Sequence, residues 1–177
     1  MKKYIVLIIA SIFTFGCSVE SSNSIIEKQI ITMAFDQSTK QAVSDFTLGF
    51  KEQKGKIASN KLVTYYENDY KTAFDSSNDT TVDITQLMNR ISPQALNFQN
   101  QYIADNVHPL GEKDKLNVSS NVNAYNKAHE KYHPTFRKFL HEFEFYDIFI
   151  VEPKTGHIIY SVYKELDYAT SLITGPY

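Results

Sequence analysis

The chain reads as an α+β domain in which a long N-terminal helix and further helical segments pack on a partial antiparallel sheet. Three observations predict it. Apolar residues recur three and four apart from Ile26 to Phe143, the spacing of amphipathic helices. Runs rich in Ile, Val, Tyr and Phe, YDIFIVE and HIIYSVY, appear only late in the chain. Between them Pro153-Lys154-Thr155-Gly156 is a turn signal, so the two runs make a hairpin. Helices first and strands last is the α+β order.

The chain has 177 residues, enough for one domain that buries about 70% of its unfolded surface. Hydrophobic residues make up 42% and aromatic ones 14%, which excludes a disordered chain. The aromatics are 12 Tyr and 12 Phe with no Trp. A net charge of −2, with no basic run beyond the first residues, excludes a nucleic-acid binder.

Residues 1–17 read as a lipoprotein-type signal peptide. Lys2 and Lys3 form a positive start, and YIVLIIASIFTF is apolar but short for a permanent membrane span. The run ends at Gly16-Cys17, and Cys17 is the only cysteine. A small residue before a lone cysteine resembles the bacterial lipobox, which makes Cys17 the expected lipidation site. Thr14 stands where the lipobox usually has Leu. The alternative is an ordinary leader with an incidental cysteine. With Cys17 lipidated no disulfide can form, and the mature chain has 18 − 2 = 16 basic against 20 acidic residues. The expected location is the cell envelope, anchored by lipid and facing the periplasm or exterior. Ser18 follows the cysteine, so the Asp that retains many lipoproteins at the inner membrane is missing.

Residues 18–23 read as a polar tether and 24–177 as the folded domain. Ser24 and Glu27 have capping-box spacing. Ile26, Ile30, Ala34, Ala42, Phe46 and Phe50 then predict one helix to about Ala58, weakened at its end by Gly49 and Gly55. Leu62, Tyr66, Tyr70 and Phe74 predict a second helix, and DSSNDTT a break. A short helix follows from Asp83 to Arg90. Ser92-Pro93 opens another that carries Leu96, Phe98, Tyr102 and Ile103. HPLGEKDKLNVSSNVN is a long polar loop of the kind that is functional or mobile. The next helix should kink or break at Pro134.

That last helix contains HEKYH, which matches the zinc-protease pattern in which His129 and His133 hold the metal and Glu130 activates water. Pro134 and the lack of a third ligand argue against proteolysis: Phe139 stands ten residues beyond His129, and His141 comes two residues late. A non-catalytic metal site on His129 and His133, joined by His108 or His157, is a weaker alternative to plain hydrogen-bonded histidines. Ser161 and Ser171 lack the neighbours of a triad. No phosphate loop or haem motif is present, so no cofactor is expected.

NQYIADNVHPLGEKDKL, YNKAHEKYHPTFRKFL and FYDIFIVEPKTGHIIYSVYKELDYATSLITGPY resemble the extracytoplasmic sensor region of a bacterial receptor family. Its members are methyl-accepting chemotaxis receptors, nucleotide cyclases and sensor kinases. The resemblance is close over residues 94–177 and looser over 25–89. It implies a Cache-like, PAS-related fold with a sheet that cradles a small ligand. Family members begin with a transmembrane helix and continue past GPY through more sheet, a second transmembrane helix and an output domain. Here a lipobox-like start precedes a domain expected to be incomplete. Glu144 and Ala169 stand where the family has glycine, which suggests relaxed backbone constraint.

Three functions stay open: a sensor-like domain binding a small ligand or a membrane partner in trans, a truncated receptor remnant, and remotely the zinc protease. Tyr146, Tyr160, Tyr163, Lys164 and Asp167 around the hairpin are the candidate ligand residues, aromatic walls with polar tips. Their alternative is sheet packing with solvated tips. An incomplete sheet would leave an apolar edge, so partner contact or self-association through it is expected.

Overall fold

The computed structural model describes Ile5–Ile9 and residues 19–177, with side chains described from Ser24 onward. Cys17 and most of the leader lie outside the described residues. Helices carry the larger part of the chain and the hairpin comes late, so the α+β class holds.

Helix α1 spans Val19–Phe35 and α2 Gln37–Glu52. The single helix expected from Ser24 to about Ala58 is therefore two. The first begins before Ser24 and takes in residues 19–23, read above as tether. The break is chemical: Asp36 leaves helical geometry at φ −61°, ψ 137°, and its carboxylate accepts the Thr39 N–H at 2.8 Å. Asp36 thus caps α2. Gly49 has a different purpose from the one its helix propensity suggests. A Cβ there would lie 2.5 Å from the Tyr125 Cα, so glycine lets α2 touch the backbone of the last helix.

Helix α3, Asn60–Tyr65, is capped by Ser59 and runs through a π turn at Tyr66–Tyr70 into α4, Lys71–Ser77. Helix α5, Ile84–Asn89, is capped by Asp83. Helix α6, Pro93–Gln99, is capped by Ser92 with proline in its first turn, as its sequence predicts. A second π turn, Asn100–Ala104, follows it. A π turn re-aims the side chains beyond it, and here both Tyr102 and Ile103 are fully buried.

Helix α7 runs unbroken from Ala124 to Glu142 with Pro134 inside it, so the expected kink or break does not occur. Proline removes the donor to the Glu130 carbonyl. Glu130 and Pro134 are both exposed, so water can satisfy that carbonyl. The turn is also held from the inward side, where Tyr132, His133 and Phe136 are buried.

Strands β2, Asp147–Val151, and β3, Ile158–Ser161, form the predicted antiparallel hairpin, with Ile150 opposite Tyr160. Gly156 in its turn has φ 70°. Strand β1, Ile5–Ile9, pairs with β2 from Val151 to Asp147. The hairpin, expected to be left with an open apolar edge, is covered by β1 on its β2 side, an edge that would be open in a chain cut at Cys17. The main core joins α2, α6, α7 and the hairpin around Phe46, Phe98, Tyr125 and Tyr160.

Glu144 has φ 53° and Ala169 φ 68°. Both sites demand the left-handed backbone that favours glycine, which corrects the reading of relaxed constraint. At the end of α7 the Phe145 N–H donates to the Leu140 carbonyl at 3.0 Å and Glu144 N–H to that of His141 at 3.4 Å. These are the two bonds of a Schellman cap, with Glu144 at the usual glycine position. The left-handed region costs a residue with a Cβ roughly 1–2 kcal/mol, part of which glycine's flexibility in the unfolded chain cancels. Glu144→Gly should therefore raise stability by roughly 0.5–1 kcal/mol, about 2 °C in Tm by calorimetry. An unchanged or lower Tm would contradict the cap assignment.

Candidate functional site

The inward face of α7 sets the site. His129 and His133, one turn apart, stack with ring centroids 4.2 Å apart and planes 25° apart. Both are buried. His129 Nδ1 lies 2.6 Å from the Asn117 carbonyl oxygen, which only accepts, so Nδ1 carries the hydrogen. His133 Nε2 lies 2.6 Å from the Asp114 carbonyl oxygen and carries its hydrogen for the same reason. His133 Nδ1 then accepts the Tyr160 hydroxyl at 2.7 Å. Burial, then the nearby Lys164 charge, pushes both rings below the usual histidine range, so both are neutral.

These bonds exclude the zinc geometry. A zinc pair needs two free, convergent lone pairs, whereas both His133 nitrogens are engaged within the protein. Among the described residues no group of three or more His, Cys, Asp or Glu could hold a metal. The two histidines instead clamp the polar loop onto α7. Asp114 strengthens the clamp: its buried carboxylate accepts from Arg137 Nε at 2.7 Å and His141 Nε2 at 3.1 Å. A depression of about 450 Å³ between loop and helix is lined by Asp114, His133, Arg137 and His141.

A second polar nest sits at the hairpin. Asp147 opens β2, and its buried carboxylate takes the Ser161 hydroxyl at 2.6 Å and the N–H groups of Ile148, Val162 and Tyr163 at 2.6, 3.0 and 3.3 Å. Burial raises its pKa to about 6, opposed by these donors, so it is a carboxylate at neutral pH. The nest fixes the turn after β3, where Lys164 adopts φ 56° and its N–H donates to Ser161 Oγ at 2.8 Å.

That turn sends Lys164 inward. The side chain is fully buried, and its Nζ donates to the Val162 carbonyl at 2.9 Å. Nζ lies 5.8 Å and 5.6 Å from the ring centres of Tyr102 and Tyr160. The His129 ring packs on the same two tyrosines, at 4.6 and 5.7 Å between centroids. His129 Nε2, the lone-pair nitrogen, is buried without a partner. Lys164 Nζ and the His129 ring thus pack on the same two tyrosines, the amine with one acceptor and His129 Nε2 with no partner. Burial pushes the Lys164 pKa down to about 7, with Asp147 and Asp114 opposing.

Of the five candidate ligand residues, the structure joins Tyr160 and Lys164 at this locus. Tyr146 is 48% exposed and donates its hydroxyl to Glu165 at 3.0 Å. Tyr163 is partly exposed and packs edge-on against His141. Asp167 is partly buried with its Oδ1 unpartnered, and burial, then Asp147 and Glu165, raise its pKa to about 7. Sequence reading missed Tyr102, Asp114, Arg137 and Asp147. Asp147 had a signal, a lone acid inside an otherwise apolar strand. Asp114 had none, because its partners lie on another element.

Comparison with protein-family models, with curated proteins and with solved structures found no match for this chain.

The buried amine makes stability depend on pH with a definite sign. Lys164 has a lower pKa folded than unfolded, so above about pH 7 the unfolded state binds more protons and stability rises towards the ordinary lysine pKa. Asp147 and Asp167, raised on folding, favour the folded state at low pH and lose that contribution as pH rises through about 6 and 7. The neutral histidines act oppositely below the usual histidine pKa. From pH 7.5 to 9.5 the Lys164 effect should dominate, at up to about 1.4 kcal/mol per pH unit. Tm should rise over that window, and Lys164→Met should flatten the rise. Parallel slopes for both proteins would contradict a depressed Lys164.

Proposed function

We propose that this protein is a non-catalytic, membrane-anchored sensor-type domain of the cell envelope that takes a small ligand at the Lys164–His129 locus. One observation carries the reading: a fully buried lysine amine and a fully buried histidine lone pair meet the same two tyrosine rings, and the Nε2 lone pair is unused. Buried polar groups without partners are costly, and they persist most often where something else completes them. The chemistry fits a small molecule with a carboxylate for Lys164 and an N–H or O–H donor for His129 Nε2. Amino acids and hydroxy acids are that class. The likeness of the YDIFIVE to GPY segment to receptor sensor regions supports the same reading.

Signalling to a membrane partner in trans attaches to β2. Its full-length ladder with β1 favours strand addition at this edge once the leader is gone. Among the described residues no helix is long and apolar enough to cross a membrane.

Thermal shift with amino acids, hydroxy acids and plain dicarboxylates tests the ligand reading, because a ligand at a hundredfold its Kd stabilises by about 2.7 kcal/mol. An amino or hydroxy acid should raise Tm by several degrees in the wild type and by nothing in Lys164→Met. Equal shifts in both proteins, or none with any compound of the class, would contradict it.

A further inference from the structure

Helix α1 is apolar on two faces and the fold buries only one. We propose that the other face lies on the lipid surface to which the chain is anchored, an inference that rests on Cys17 being the lipidated residue. On the inner face Met33 is buried, and Ile26 and Ile30 pack against the main core. On the outer face Ile25, Lys28, Ile31, Thr32 and Phe35 follow one another at helical spacing, and all five are exposed. Ile25 is 56% exposed, Ile31 47% and Phe35 73%. The patch continues onto the end of α7. There Ile25, Lys28 and Thr32 face Phe139 and Phe143 across an apolar groove of about 280 Å³.

Position argues for lipid as the occupant. Val19 opens α1 two residues after Cys17, so an acylated Cys17 holds the start of the helix within about 7 Å of the bilayer. The 17-residue helix is about 25 Å long. Standing upright it would carry Phe35 far above the headgroups. Lying flat it places Ile25, Ile31, Phe35 and Phe143 together at the boundary between headgroups and acyl chains. Charge agrees. Lys28 lies within the patch, and Lys40 Nζ sits 5.4 Å from the Phe35 ring centre. Lysine stems lie along apolar surface while the ammonium reaches anionic headgroups. Glu27 borders the patch and offsets part of the lysines' attraction, so the preference for anionic membranes should be modest. A protein partner would have to enter a space held within roughly one helix diameter of the bilayer.

The chain has no Trp, so a single introduced Trp reports alone. Full-length protein carrying Phe35→Trp or Ile31→Trp is purified from membranes and placed in vesicles of phosphatidylcholine and phosphatidylglycerol, with plain or brominated acyl chains. Val122→Trp is the control: it is 88% exposed and precedes the start of α7, a helix-length from Phe143. Brominated chains should quench Phe35→Trp and Ile31→Trp at least twofold and leave Val122→Trp unchanged. Equal quenching at all three positions, or none at Phe35 and Ile31, overturns the docking. A doubled mass in detergent together with unquenched Phe35→Trp would assign the face to a second copy and overturns it equally. Fractionation of Cys17→Ser separates the two readings. Release of Cys17→Ser with unquenched Phe35→Trp keeps the anchor and rejects the docking. Equal retention of Cys17→Ser with quenched Phe35→Trp keeps the docking on lipid and rejects the acyl anchor.

Discussion

The hydrogen bonds made by His129 and His133 are the constraint on which the rest of the structure depends. One turn of α7 ties down three separate parts of the chain: the loop at Asn117 and Asp114, the hairpin at Tyr160, and, through ring packing, α2 at Phe46. A neutral imidazole offers one donor and one acceptor. His133 uses both and His129 uses its donor, so the tautomers are dictated by backbone carbonyls and leave no convergent pair of lone pairs for a metal. The HEKYH motif is therefore a structural clamp whose letters coincide with a catalytic pattern. Glu130, the residue a protease would need, points to solvent.

The second constraint is Asp147. A buried carboxylate is costly unless several donors hold it, and four do. Ser161 ends β3 and two more donors, Val162 and Tyr163, follow it, so the nest fixes the left-handed turn that drives Lys164 into the core. The tyrosines make this polar interior tolerable. Tyr125 donates to the Ile159 carbonyl, Tyr168 to Tyr125, and Tyr102 to Asn126, at 2.8 Å each. Each ring contributes apolar area while its hydroxyl is satisfied. A core of Phe and Tyr without Trp is thus suited to carrying a lysine and two histidines. The atoms left over, His129 Nε2 and Asp167 Oδ1, mark where the interior is incomplete.

Much of the fold was legible because its signals are local. Asp83 and Ser92 mark helix starts and cap them through side-chain bonds to the N–H three residues on, and the hairpin lies where β-rich runs flank a turn. The long first helix was misread because Asp36 interrupts it without disturbing the apolar spacing on either side. Pro134 was misread in the opposite sense, since packing of Tyr132, His133 and Phe136 outweighs one lost backbone bond. The site was legible only in part. Tyr160 and Lys164 stand out beside the hairpin, but Tyr102 and Asp114 reach them from elements far away in sequence, and no spacing rule connects them.

The histidine clamp is tested most directly by long-range proton–nitrogen NMR of the imidazole side chains in the folded protein. His129 should be protonated at Nδ1 and His133 at Nε2, with both rings still neutral at pH 5 and unmoved by added zinc. A ring that titrates near the ordinary histidine pKa, or a His133 that exchanges its Nε2 hydrogen for zinc, would contradict it.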